Sequence, residues 1–361
     1  MGNDQYVRFA RTDFEKELRK RVQLYFKTNN LDHTGNYKMV TKAIGMVLMY
    51  LVPMALFYIF QLPVWLYLLC WVVSGLGMSG IGMGVMHDAL HGSYHKNSWV
   101  NRFLGASIYM ICGNASTWKV QHNVLHHTFT NIDELDEDMD AGGLIRMHHN
   151  QPWKKMHKYQ HLYFSFVYGL LTLNWLVTKD FKQAVKYRKR NIAPFNGEKQ
   201  TYEWSKLVIG KILYVAVFLA LPIVVAPYAW YWTVLGFVMM HYVSGVVLSF
   251  IFQLAHMVEI VEHEEKPEEG KMEVSWMEHQ LRTTANFARK NKLISWYVGG
   301  LNFQVEHHLF PNICHIHYPA ISKIVEETAN EFNVMYRQFP TMAQALVSHF
   351  KYIHKLSLVR A

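Results

Sequence analysis

The sequence predicts an all-α integral membrane protein: four transmembrane helices in two hairpins, with a cytosolic helical cap holding a histidine-rich two-metal site. Three observations lead there. Apolar residues make up 51% of the chain and gather into runs, several near the ~20 residues that span a hydrocarbon core. Lys and Arg crowd one side of those runs. Histidines cluster at 87–91, 122–127 and 307–308, all on that same basic side.

In chain order, Thr12 and Glu15 have the spacing of a capping box. They open an amphipathic helix with Phe14, Leu18, Val22 and Phe26 on one side, expected to rest on the membrane surface. Runs at 43–60 and 63–86 form the first hairpin, and runs at 207–226 and 230–255 the second. Their connections at 61–62 and 227–229 carry no basic residue. By contrast, Arg8, Arg11, Lys16, Arg19, Lys20, Arg21 and Lys27 precede the first run, and Lys179, Lys182, Lys186, Arg188, Lys189 and Arg190 the third. The positive-inside rule then puts both termini and the segment 87–206 in the cytoplasm. A shorter run at 162–177 reads as interfacial or partly buried. An acidic, proline-interrupted loop at 262–271 precedes a predicted helix at 276–290. Pro319 opens another, with Ile321, Ile324, Val325 and Thr328 as its apolar stripe. The chain reads as one domain, 1–361, in five parts: the N-terminus 1–42, a hairpin 43–86, cap 87–206, a hairpin 207–255 and cap 256–361.

The formal charge of +9 sits at the flanks of the runs, which points to membrane lipids as partners and against nucleic acid. Cys70, Cys112 and Cys314 are isolated, so no disulfide framework or CxxC site is expected. The polar N-terminus shows no cleaved secretory signal. Gly75, Gly77 and Gly80 match GxGxxG, but within an apolar run, where close helix packing is the reading.

The histidines carry the chemistry. Imidazole ligates iron, zinc and copper. On a helix, His87 and His91 lie four apart on one face, and the same spacing joins His122 to His126. His127 and His308 each follow another histidine and are free to turn toward a second metal. His256 ends the fourth run as the first cluster ends the second, so it reads as a further ligand. His241 precedes it by ~22 Å of helix and is assigned to packing or tunnel lining. His95, His315 and His317 read as surface or supporting residues. Asp133 and Asp136 follow the second cluster and are candidates to accept hydrogen bonds from ligand imidazoles. HExxH, Glu-x-x-His and Gly-x-Ser-x-Gly patterns are all absent, against zinc proteases, carboxylate di-iron bundles and serine hydrolases.

In these segments the chain resembles the membrane fatty acid desaturases, in particular the front-end subgroup that includes linoleoyl-CoA desaturases. The resemblance rests on residues 87–92, 118–131, 252–256 and 299–311, with Gln304 where many desaturases carry histidine. It implies a non-haem centre of two iron ions using O2, with His87, His91, His122, His126, His127, His256, His307 and His308 as ligands. Gln304 would act as a catalytic ligand or hold a metal-bound water, supported by Asn302. The implied reaction places a cis double bond in a fatty acyl chain, as acyl-CoA or acyl-lipid. No His-Pro-Gly-Gly haem motif occurs, which implies a separate electron donor: ferredoxin, or a small cytochrome with its reductase. The alternatives are a fatty acyl hydroxylase or epoxygenase on the same scaffold, a non-catalytic membrane haem or metal carrier, and a zinc-dependent membrane hydrolase.

Overall fold

A computed structural model describes residues 7–267 and 270–359. The first six residues, and Glu268 and Glu269 of the acidic loop, lie outside the described residues. The N-terminal helix Asp13–Thr28 starts at its predicted cap, with Thr12 accepting a hydrogen bond from the Glu15 amide (3.4 Å). Phe14, Leu18, Val22 and Phe26 are buried, but against Met277, Leu281, Ile321 and Val325 of the C-terminal part, and Arg21 pairs with Glu331 (2.6 Å). This corrects the expectation of a helix lying on a lipid surface. An apolar stripe says that a face is covered, and nothing about what covers it.

Four helices are long and apolar enough to cross a membrane: Tyr37–Ile59, Val64–His91, Gly197–Val225 and Trp230–His256. The third starts well before the predicted 207. Its early turns carry Glu203, buried and paired with Lys206 (2.8 Å), which hydropathy alone reads as loop. The second helix packs between the first and the fourth through the glycines singled out above. A Cβ on Gly75 would stand 2.6 Å from the Met240 carbonyl oxygen, and one on Gly77 would run into the Tyr50 backbone. Gly77→Leu is therefore expected to destabilise the protein by ~1–3 kcal/mol or more through overpacking. Gly45→Leu, where a Cβ meets nothing within 4 Å, should be near neutral; melting of the detergent-solubilised variants compares the two.

The run at 162–177 forms helices Gln160–Gly169 and Leu171–Asn174, packed on the fourth long helix, where Thr172 donates to the His241 carbonyl (3.0 Å). Tyr318–Glu331 forms as predicted, with Ile321, Val325 and Thr328 buried. The helix expected over 276–290 instead stops at Thr283, and the chain continues as a short strand, Asn286–Phe287. That strand pairs in parallel with Gln338–Phe339, as Arg8–Ala10 does with Lys271–Ser275. These small pairs depart from an all-α chain. Each joins segments distant in sequence, so no local periodicity announces them.

Candidate metal centre

The histidines reach the site from several elements. His87 and His91 lie on the last turns of the second long helix, just after a π-helical turn, Gly82–Met86. Such turns recur at functional sites because they re-aim the side chains that follow. His122 and His126 belong to a π-helix, Lys119–His126, entered from a short helix that Asn114 caps by accepting from the Ser116 and Thr117 amides (3.0 Å each). His256 is the last residue of the fourth long helix. His307 and His308 sit on Gln304–Leu309. The approach to that helix needs Gly299, whose φ is +65° and whose Cβ would strike the Met83 carbonyl. Asn286 and Tyr336 donate to the buried Glu306 carboxyl (2.8 and 2.7 Å), which burial raises to about 7. This fastens the helix from behind.

The histidines converge as two groups. His87, His91, His122 and His307 form one, and His126, His256 and His308 the other; within each group the candidate ligand atoms lie within 4.8 Å of one another. His127 stands between, its ring centroid 4.6 Å from that of His307 and 4.4 Å from that of His308. The Nε2 atoms of His87 and His127 lie 3.2 and 3.3 Å from His122 Nε2. Nitrogens ~2.1 Å from a shared ion at ordinary coordination angles are ~3 Å apart. As their spacing predicts, His122 and His126 stay side by side, with ring centroids 5.3 Å apart and stacked, although each belongs to a different one of these two groups. On their other nitrogens they share Asp138, at 3.6 and 3.7 Å.

The donor set fits metal ions. Among the described residues, Nε2 of His91, His126, His256, His307 and His308 and the amide oxygen of Gln304 are buried without a hydrogen-bond partner. Each such atom costs ~1–3 kcal/mol unless something binds it. The opposite nitrogens are held from outside. His126 Nδ1 meets Asp136 (2.9 Å), His256 the Thr283 carbonyl (3.3 Å), His307 the Tyr318 hydroxyl (3.3 Å) and His308 the Gln280 amide oxygen (2.8 Å). One nitrogen tethered and the other aimed inward is how ligating imidazoles are oriented. Burial, and then their neighbours' charge, hold His122, His127, His307 and His308 well below the usual imidazole value, so they are neutral donors. For His126 burial acts the same way, but the Asp136 carboxylate outweighs it and raises the imidazole.

Of the two acids, Asp136 reaches a candidate ligand. Asp133 does not: its carboxylate lies 3.4 Å from His148, carried aside where Glu134 takes a positive φ of 65°. Asn302 also stays off the imidazoles, donating to Ser295 (2.9 Å) and the Ala288 carbonyl (3.3 Å). His241 is a satisfied core residue between Tyr214 (3.0 Å) and Thr172 (2.9 Å). His95 accepts from the Asn97 amide (2.9 Å), and His317 lies 3.4 Å from the Thr34 carbonyl. His315 is different. Its Nδ1 is 2.6 Å from Asp88, which faces His87 Nδ1 at 3.5 Å, while Lys42 stands 3.2 Å from its Nε2. Sequence reasoning missed Asp88, Gln280 and Tyr318 as supports. Only the adjacency of Asp88 to His87 signalled one of them.

A cavity of about 620 Å³ opens beside the first group, where His87, His122 and Gln304 share its wall with Met86, Phe252 and Leu301. Four long apolar helices, histidine groups that could hold metal ions and a cavity beside them define the candidate site. Comparison with known proteins is specific. Residues 62–340 match the fatty acid desaturase family. The chain is 36% identical to an sn-1 linoleoyl-lipid 6-desaturase of Arthrospira platensis, over 96% of this chain and 93% of that one. It is 34% identical to an acyl-lipid (8-3)-desaturase of Physcomitrium patens (98% and 74%). With an sn-1 linoleoyl-lipid 6-desaturase of Synechocystis sp. the identity is 32% (95% and 95%). The chain belongs to the fatty acid desaturase family and is an oxidoreductase of that class.

Proposed function

We propose that this protein introduces a cis double bond into a fatty acyl chain, carried as acyl-lipid or acyl-CoA, toward the carboxyl end, using O2 and two electrons. The observation that carries this reading is the cluster of buried, unpartnered imidazole nitrogens of His91, His126, His256, His307 and His308, beside a partly apolar cavity whose wall includes His87, His122 and the free amide oxygen of Gln304. His87, His91, His122 and His307 would hold one iron ion, and His126, His256 and His308 the other, with His127 between them. Two non-haem irons supply, when bound, the oxygen chemistry that removes hydrogen from unactivated methylenes, which protein acids and bases cannot do. The chain's residues do the rest. Met86, Phe252 and Leu301 align the alkyl chain against the histidines and keep water out. Gln304 aims its free amide oxygen at the same space. Asp136 orients His126, while Asp133 and Asn302 hold the surrounding loops.

The basic flanks support a topology in which the four helices form two membrane hairpins, with both termini and the metal centre on the cytosolic side. A separate carrier, ferredoxin or a small cytochrome with its reductase, would deliver the electrons.

The reaction is tested by expressing the protein in a host fed a defined fatty acid. Desaturation lowers the product mass by about 2 units, while a rise of about 16 indicates hydroxylation or epoxidation instead. Gln304→Ala is expected to cut turnover ~10–100-fold, the usual cost of losing a group that tunes a metal site. Parallel iron analysis separates a metal-holding role from a substrate-facing one.

A further inference from the structure

Lys42 lies in the second turn of the first long helix, Tyr37–Ile59, and is only 2% exposed. An ionisable side chain buried in an apolar helix of spanning length is a functional candidate by default. Gly84, on the π-helical turn of the second long helix, makes room for it: a Cβ there would stand 2.8 Å from Lys42 Nζ and Cε. Among the described residues, the ammonium bonds to His315 Nε2 (3.2 Å). An ammonium only donates, so Nε2 accepts and the His315 proton sits on Nδ1. That Nδ1 donates in turn to Asp88 Oδ2 (2.6 Å), and Asp88 Oδ1 faces His87 Nδ1 (3.5 Å). A carboxylate only accepts, which puts the His87 proton on Nδ1 as well. The lone pair of His87 Nε2 is then free to face the first histidine group, where His122 Nε2 lies 3.2 Å away. Asp88 and His315 are buried like Lys42.

Asp88, Cys314 and His315 are close enough together to hold an ion themselves. Both His315 nitrogens are already engaged, however, and the ammonium beside them repels a cation. The arrangement orients a neighbouring ligand instead. In this the two histidine groups differ. Asp136, which meets His126 of the second group at 2.9 Å, is otherwise held by the neutral amides of Asn131 and Asp138. Asp88 is balanced by a buried cation acting through His315. We propose that Lys42 and His315 are positioning residues: through Asp88 they fix the tautomer and orientation of His87, and so govern how tightly the first group retains its ion. This rests on the two-ion reading above. The first long helix, which carries no histidine, is tied to the metal centre by this chain of hydrogen bonds.

The test is iron retention by the full-length protein, purified after growth on iron and challenged with increasing chelator. Lys42→Met and His315→Phe should each loosen one of the two irons ~10–100-fold, the cost of losing a residue that orients a ligand. The other iron should keep its wild-type affinity. His315→Gln, whose amide offers an acceptor to Lys42 and donors to Asp88, should retain both. Adding Lys42→Met to His315→Phe should cause no further loss, because the link is already cut. A general loss of packing would loosen both irons, would not be rescued by glutamine and would add between the two changes. Unchanged retention, equal loosening of both irons, equal losses with glutamine and phenylalanine, or additive losses would each overturn the proposal. Melting of the chelated proteins identifies a variant that fails to fold; if Lys42→Met is one, His315→Gln against His315→Phe decides. Should the wild type hold a single ion, the two-ion reading falls. Loosening of that ion by Lys42→Met would still support the link, and unchanged retention would overturn it.

Discussion

His126→Ala and His307→Ala are each expected to abolish turnover and to lower bound iron, while leaving the protein in the membrane at its normal level. The two residues belong to different groups, and each aims an unpartnered Nε2 inward. Losing a residue that merely orients a ligand costs ~10–100-fold in metal affinity or activity, so losing the ligand itself should cost more. Neither change should unfold the metal-free protein. The nitrogen removed carries an unsatisfied desolvation cost of ~1–3 kcal/mol in the absence of metal, which offsets the packing lost. After chelation, the melting temperature of His307→Ala should therefore lie close to that of wild type, and that of His126→Ala, which also strips the buried Asp136 carboxylate of its imidazole, somewhat lower, while iron content and product formation fall in both. Full activity in either variant would remove that residue from the ligand set.

Asp136→Asn should reduce iron retention and activity ~10–100-fold, whereas Asp133→Asn should change either less than ~2-fold. Asp136 accepts from His126 Nδ1 and the Asn131 amide (2.9 Å each) and from the Asp138 amide (2.9 Å). Burial alone would neutralise the carboxyl, but His126 and these hydrogen bonds hold it below its usual value, so an anion faces the imidazole. Asparagine would present an N–H group toward donors already there. Among the described residues, Asp133 pairs with His148. Iron titration of the two purified variants separates them, and equal losses would show that the acidic run acts through its overall charge.

Much of this was legible in the sequence, for physical reasons. Apolar runs report which helices are long and apolar enough to span. Histidine spacing marked the residues that converge. Legibility ended where geometry depends on distant partners. Spacing named His122 and His126 as neighbours, without revealing that the first joins His87, His91 and His307 and the second His256 and His308. The stripe of Phe14, Leu18, Val22 and Phe26 was evident, but its cover lies some three hundred residues away in the chain, at Ile321 and Val325. Asp133 and Asp136 looked equivalent until the left-handed Glu134 sent one toward a ligand and the other away. Likewise, nothing local to His315 announces that Asp88 lies 2.6 Å away.

Two iron ions, one in each histidine group, are what the proposed reaction requires. Metal analysis and optical spectroscopy of the purified, iron-grown protein address this directly. About two irons per chain without a haem absorption band is the expected result. A single zinc per chain, a haem band, or full iron retention by both His126→Ala and His307→Ala would contradict it.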